Sequence, residues 1–175
     1  MSLKSRMLAV VLVSVAGAGV LSMAQAQAVV DVEAVTNDGL RNFNAEEEPT
    51  YKIEADGTTD WATFSGFRRY HAECHVCHGP DGEGSTYAPA LKKSALTLGY
   101  YDFIGIVAGG RQKVGAGSNS VMPAFGTNPN VMCYLDDIYT YLRARGTDAI
   151  PRGRPAKKEA KPEAYAEAEA SCMAN

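Results

Sequence analysis

Residues 70–82 read "YHAECHVCHGPDG". Cys74 and Cys77 stand two residues apart, and His78 follows the second directly. Three chemistries use such a trio: structural zinc, a redox dithiol, and covalent attachment of haem. Zinc needs four ligands. Cys133 and Cys172 could complete a set, but neither belongs to a second Cys-x-x-Cys pair. A reactive dithiol sits at a helix N-terminus, whose dipole lowers the first thiol's pKa. Here the motif closes a helical pattern, so the dipole points the wrong way. Haem attachment suits the spacing, because one helical turn lets both thiols reach the two vinyl groups. His78 then supplies an axial nitrogen to the iron.

The opposite axial position calls for a soft thioether, which favours ferrous iron. Met122, in "SVMPAFG", follows a polar Gly/Ser loop and can reach the distal face from it. Met132 falls at the start of a helical pattern, where a packing role is the ordinary one, and Met173 lies near the C-terminus. His71 and His75 precede His78 on the same side and read as solvent-facing. An axial histidine usually donates its second ring proton to a carbonyl. Pro89, in "YAPAL", offers one at a suitable separation. Arg111 reads equally as a partner for a haem propionate and as an exposed loop charge.

Three helices must position these groups. The first starts at Asp60, an N-cap residue type, and runs through "WATFSGFRRYHAEC", with Trp61, Phe64, Phe67 and Tyr70 at helical spacing. The second is "YYDFIGIVAGG". The third is "NVMCYLDDIYTYLRARG", with Leu135, Ile138, Tyr141 and Leu142 on one face and Gly146 as a C′ residue. The intervening loops are long and glycine-rich, which is awkward for a small all-protein core but suits a large apolar cofactor at its centre. Upstream, "YKIEADGTTDW" reads as a small hairpin turning at Asp56-Gly57.

Residues 1–26 read as a secretory signal: Lys4 and Arg6, an apolar run, then small-x-small cleavage sites at Ala24 to Ala28. The run is short for a bilayer span. A periplasmic protein with no stable membrane anchor is expected. The chain carries 17 basic and 20 acidic residues, a net charge of −3. With no basic stripe, nucleic acid is not a partner. Beyond the signal, the sequence divides into an acidic extension (27–59), a core (60–146) and a Pro/Lys/Glu/Ala-rich tail (147–175). The tail's "RGRPAKKEAK" reads as a solvated linker more readily than as a docking patch.

"CHVCHG", "APAL", "MPAF" and the last helix resemble the class I c-type cytochromes over about residues 60–146. Gly66 and Tyr70 stand before Cys74 where that family crosses its first helix with its last. Ile138, Tyr141 and Leu142 match the partner face. With a late "SCM", the chain is similar to the four-cysteine cytochromes of methanol metabolism, the relatives of cytochrome cL. The resemblance implies an all-α fold around one covalent haem c. It also implies a monomeric one-electron carrier rather than an enzyme. Such carriers take electrons from a pyrroloquinoline-quinone (PQQ) dependent methanol or alcohol dehydrogenase and pass them to another cytochrome or a terminal oxidase. Cys133 and Cys172 then form a tail-pinning disulfide or remain two thiols, and an oxidising compartment favours the bridge. Competing readings are a haem enzyme or gas sensor with an open distal site, and a fixed subunit of a dehydrogenase or oxidase complex.

Overall fold

The computed structural model describes residues 31–115 and 118–174. The expected signal, 1–26, lies outside them. Helix α1, Trp61–Glu73, begins where the sequence marks it. The Asp60 carboxylate accepts from the Thr63 amide at 2.8 Å and from the Thr63 hydroxyl at 2.7 Å. A one-turn helix α2, His75–His78, follows and is ended by Gly79 at φ 71°. A 3₁₀ turn spans Pro80–Gly82. Then come α3, Leu91–Ser94, and α4, Tyr100–Gly109.

The third expected helix is two helices, α5, Pro129–Met132, and α6, Leu135–Gly146. The break falls at Cys133 and Tyr134. Tyr134 is buried, with its hydroxyl donating to Glu169 at 2.7 Å and its ring 3.5 Å below the Arg69 guanidinium. Long-range partners therefore interrupt a helical pattern that is continuous in sequence.

The helices α1 and α6 cross at Gly66. An added Cβ there would lie 1.9 Å from the Asp137 carbonyl oxygen and 2.8 Å from Tyr141 Cβ. Tyr70, Ile138, Tyr141 and Leu142 are buried at this crossing. Gly146 ends α6 but is not a left-handed cap. Its missing Cβ admits the Lys92 carbonyl, 2.4 Å from where that atom would stand.

Both extensions are ordered against this core. Upstream, short strands β1, Thr36–Asn37, β2, Asn42–Phe43, and β3, Pro49–Thr50, form an antiparallel sheet. The hairpin read at 51–61 is present in short form: Ile53 bridges Thr59, Glu54 N donates to the Thr58 carbonyl at 2.9 Å, and Gly57 N donates to the Glu54 carbonyl across the turn at 2.8 Å. The fully buried Arg143 of α6 holds the extension by donating to Glu48 at 2.9 Å, to the Pro49 carbonyl at 3.3 Å, and to the Asp31 carbonyl.

The segment read as a solvated tail is a docked strap ending in helix α7, Glu163–Met173. The Thr59 amide donates to the Lys157 carbonyl at 3.2 Å, and the Glu159 amide donates back to Thr59 at 2.9 Å. Arg154 lies 5.1 Å over Phe64, and Lys158 4.9 Å over Trp61. These contacts explain why a charged segment packs: aromatic faces take the cations. Cys133 and Cys172 are joined in a disulfide that fixes α7 to α5. Among the described residues no helix is long and apolar enough to cross a membrane.

Candidate functional site

Cys74 ends α1 and opens α2, so one continuous turn carries Cys74, Cys77 and His78. Neither thiol is in a disulfide. Burial pushes the Cys74 thiol up to about 12, with Glu73 and Cys77 adding to the effect. That is the opposite of a redox dithiol, whose first cysteine has a depressed pKa. The zinc set is also broken, because Cys133 and Cys172 are spent on each other. Among the described residues no cluster of three or more His, Cys, Asp or Glu is placed for a metal ion.

His78 is buried, and its Nδ1 lies 2.9 Å from the Pro89 carbonyl. A carbonyl only accepts, so Nδ1 carries the proton and Nε2 keeps its lone pair for a metal. The main chain around His78 is held as firmly as the ring. Its carbonyl accepts from Gly84 N at 2.8 Å and from the Tyr70 hydroxyl at 3.2 Å. The same hydroxyl reaches the Gly79 carbonyl at 2.6 Å.

Met122 is not in an irregular loop. It ends strand β5, Ser118–Met122, which pairs antiparallel with β4, Arg111–Gly115. Arg111 is exposed and directly opposite Met122 in the ladder. The half-buried Met122 packs against the main core cluster, beside which Cys74 also lies. The ladder was hard to read from sequence because the stretch is Gly/Ser-rich and alternates weakly.

His71 is not simply solvent-facing. Its Nδ1 lies 2.9 Å from the Phe67 carbonyl, and its Nε2 lies 3.5 Å from Asp81. His75 stacks edge-on against it, with ring centroids 5.2 Å apart. Sequence reasoning passed over Asp81 itself, a buried carboxylate three residues after His78. Its signal was a lone acid in the "GPDG" turn, which by itself reads as a turn residue.

Two free thiols on one turn, a buried histidine with Nε2 available, and a methionine packed on the same core fit a covalent haem. With the α1/α6 crossing at Gly66, they define the class of the protein: a class I c-type cytochrome. The comparisons agree. The chain is 64% identical over 142 residues to cytochrome c-553I of Paracoccus denitrificans, covering 79% of this chain and 63% of that protein. The chain thus spans just under two thirds of that relative's length. It is 36% identical over 101 residues to cytochrome c-555 of Methylococcus capsulatus (Bath), covering 57% of this chain and 76% of the relative. The crystal structure of the c-type cytochrome XoxG from Methylobacterium extorquens AM1 superimposes with a TM-score of 0.75 at 54% identity, covering 81% of this chain and 87% of that one. No family model matches. The chain belongs to the c-type cytochromes, and haem c is its covalent cofactor.

Proposed function

We propose that this protein is a periplasmic one-electron carrier that accepts electrons from a PQQ-dependent methanol or alcohol dehydrogenase and delivers them to the respiratory chain. The observation that carries the reading is the His78 ring, buried and held through Nδ1 by Pro89, directly after two free thiols. In this reading residues 60–146 hold the haem. Cys74 and Cys77 would attach it, His78 and Met122 would ligate its iron, and Arg111 would pair with a propionate. The haem supplies reversible one-electron iron chemistry.

The protein's own part is to hold both axial side chains in place through a change of charge. Pro89 fixes the His78 tautomer and ring plane. Tyr70 and Gly84 fix its main chain. The β4–β5 ladder fixes Met122. The relatives are named as cytochromes, which supports a carrier over an enzyme. The resemblance to XoxG and to the methanol-associated cytochromes supports the choice of donor.

The test is optical. The ferric protein should show the near-infrared charge-transfer band of methionine-ligated iron, and Met122→Ala should abolish it. Reduced PQQ dehydrogenase should then reduce the haem in a mixing experiment. Rapid carbon monoxide binding to the reduced protein, with no such band, would instead favour a haem enzyme or sensor.

A further inference from the structure

Asp81 has an unusual combination of features. It is a non-glycine residue at φ 57°, with only 4% of its surface exposed, in the turn directly after His78 and Gly79. Left-handed backbone at such a residue costs on the order of 1 kcal/mol and persists where the surroundings enforce it. The surroundings here come from three elements. Tyr141 of α6 donates to the carboxylate at 3.2 Å, and the Gly153 amide of the strap at 3.0 Å. Arg152 Nε donates at 3.3 Å, and His71 of α1 lies 3.5 Å away. Burial pushes the carboxyl up, but the Gly153 amide, Arg152 and Tyr141 outweigh it and hold it below the ordinary value. Asp81 is therefore an anion at neutral pH.

Its charge is only partly balanced. The cation of the group, Arg152, has a side chain 64% exposed and is screened by water. Glu83, two residues on, differs: Lys92 at 2.9 Å and the buried Arg145 at 3.1 Å both meet it. The turn that holds Asp81 is bolted to the His78 carbonyl through Gly84, and Tyr70 links that carbonyl to the Tyr141 ring, 5.6 Å away. Asp81 thus has a fixed place relative to His78.

We propose that the Asp81 carboxylate and the Arg152 guanidinium tune the reduction potential of the iron bound at His78, in opposite senses. A fixed anion in a poorly polarisable site favours the more positive, oxidised iron and lowers the potential. The strap cation offsets it. The C-terminal strap therefore has a redox role besides its packing role. This rests on the reading of His78 as the iron ligand.

The experiment is an equilibrium redox titration of the purified holoprotein at low ionic strength, where an exposed charge is least screened. Asp81→Asn should raise the reduced-to-oxidised ratio at fixed poise roughly threefold to tenfold, where tenfold corresponds to ~59 mV. Arg152→Glu should lower it. Lys52→Glu, at the far end of α1 from Cys74, should move it less than Arg152→Glu. A purely structural role would move Asp81→Asn and Arg152→Glu in the same direction, because both loosen one clasp. Same-sign or absent shifts, with the methionine band intact, overturn the proposal. If Asp81→Asn fails to retain haem, Arg152→Glu decides alone, and an unchanged or raised potential is fatal. Absence of a histidine-ligated c-type spectrum in the unmodified protein overturns the functional reading and this proposal together.

Discussion

Arg111 and Met122 are partners at the open end of the β4–β5 ladder. The expected sulfur ligand thus sits at a defined register position and not on a free loop. Gly110 precedes Arg111 and turns the chain from α4 into the ladder at φ 72°. A Cβ there would stand 2.7 Å from the Met122 carbonyl oxygen and 2.8 Å from Ala124 N. Both obstructing atoms are main chain and cannot swing aside.

Gly110→Ala should therefore displace Met122. The expected outcome is a weakened or missing methionine charge-transfer band and a lower midpoint potential. A stability loss of about 1–3 kcal/mol should accompany it from backbone strain. Arg111→Ala, changed at an exposed side chain, should leave the band intact. Near-infrared absorption of the two ferric variants makes the comparison.

Gly66 should tolerate nothing larger. Its Cβ would meet the main chain of Asp137, so α1 and α6 would have to separate. Gly66→Val should cost about 3 kcal/mol or more by over-packing. Denaturant unfolding of the holoprotein reads this as a lower midpoint with an unchanged slope.

The start of the first helix and a candidate haem motif were legible in the sequence. Asp60 signals the start of α1, and Cys74-x-x-Cys77-His78 states its chemistry locally. Pro89 could be named because an axial histidine needs an acceptor. The remainder depends on partners far apart in sequence. Arg154 and Lys158 look solvated until Trp61 and Phe64 lie beneath them. His71 looks exposed until the turn after His78 brings Asp81 beside it. Asp137 looks like a surface residue of α6, but it is fully buried, joined to Arg41 at 2.8 Å and to the Tyr165 hydroxyl. Local pattern shows which face of a helix is apolar. It does not show which distant polar group will satisfy a buried charge.

That buried carboxylate is where the two extensions meet the core. Arg41 comes from the N-terminal extension and Tyr165 from α7, while Ser65 of α1 bonds the Tyr165 hydroxyl at 2.9 Å. Asp137→Ala should cost about 3–5 kcal/mol, because the partly buried Arg41 loses its close partner and keeps only Asp136, at 3.7 Å. The double variant Arg41→Met/Asp137→Leu should recover most of that loss. A double-mutant cycle by chemical unfolding measures the coupling.

The Cys133–Cys172 bridge closes a separation of 39 residues. Cys172→Ser should lower stability by about 2–4 kcal/mol in the chain-entropy model. The loss should concentrate in α7. Protease nicking between α6 and α7 should speed up, while the optical spectrum stays unchanged, since the site lies on the other elements.

Acid should release the strap before it unfolds the haem-bearing core. Asp56, hydrogen-bonded by Thr58 and then by Lys157, is lowered to about 2. Asp81 and Glu169 are also held below their ordinary values. In each, burial raises the pKa, but the Gly153 amide, Arg152 and Tyr141 for Asp81, and Lys161 and Tyr134 for Glu169, outweigh it. Each of these carboxylates clasps the strap or α7. A carboxyl with a depressed folded pKa contributes stability that is fully present above its unfolded value, about 4. That contribution is lost as pH falls through the folded value. The strap should thus loosen between about pH 4 and pH 2. Amide NMR follows it directly: the Gly153 and Glu159 signals should leave their native positions before those of Tyr70 and Tyr141. Strap and core signals disappearing together would show that these carboxylates do not hold the strap independently. Added salt should shift the Lys157–Asp56 clasp first, because both side chains are more than half exposed.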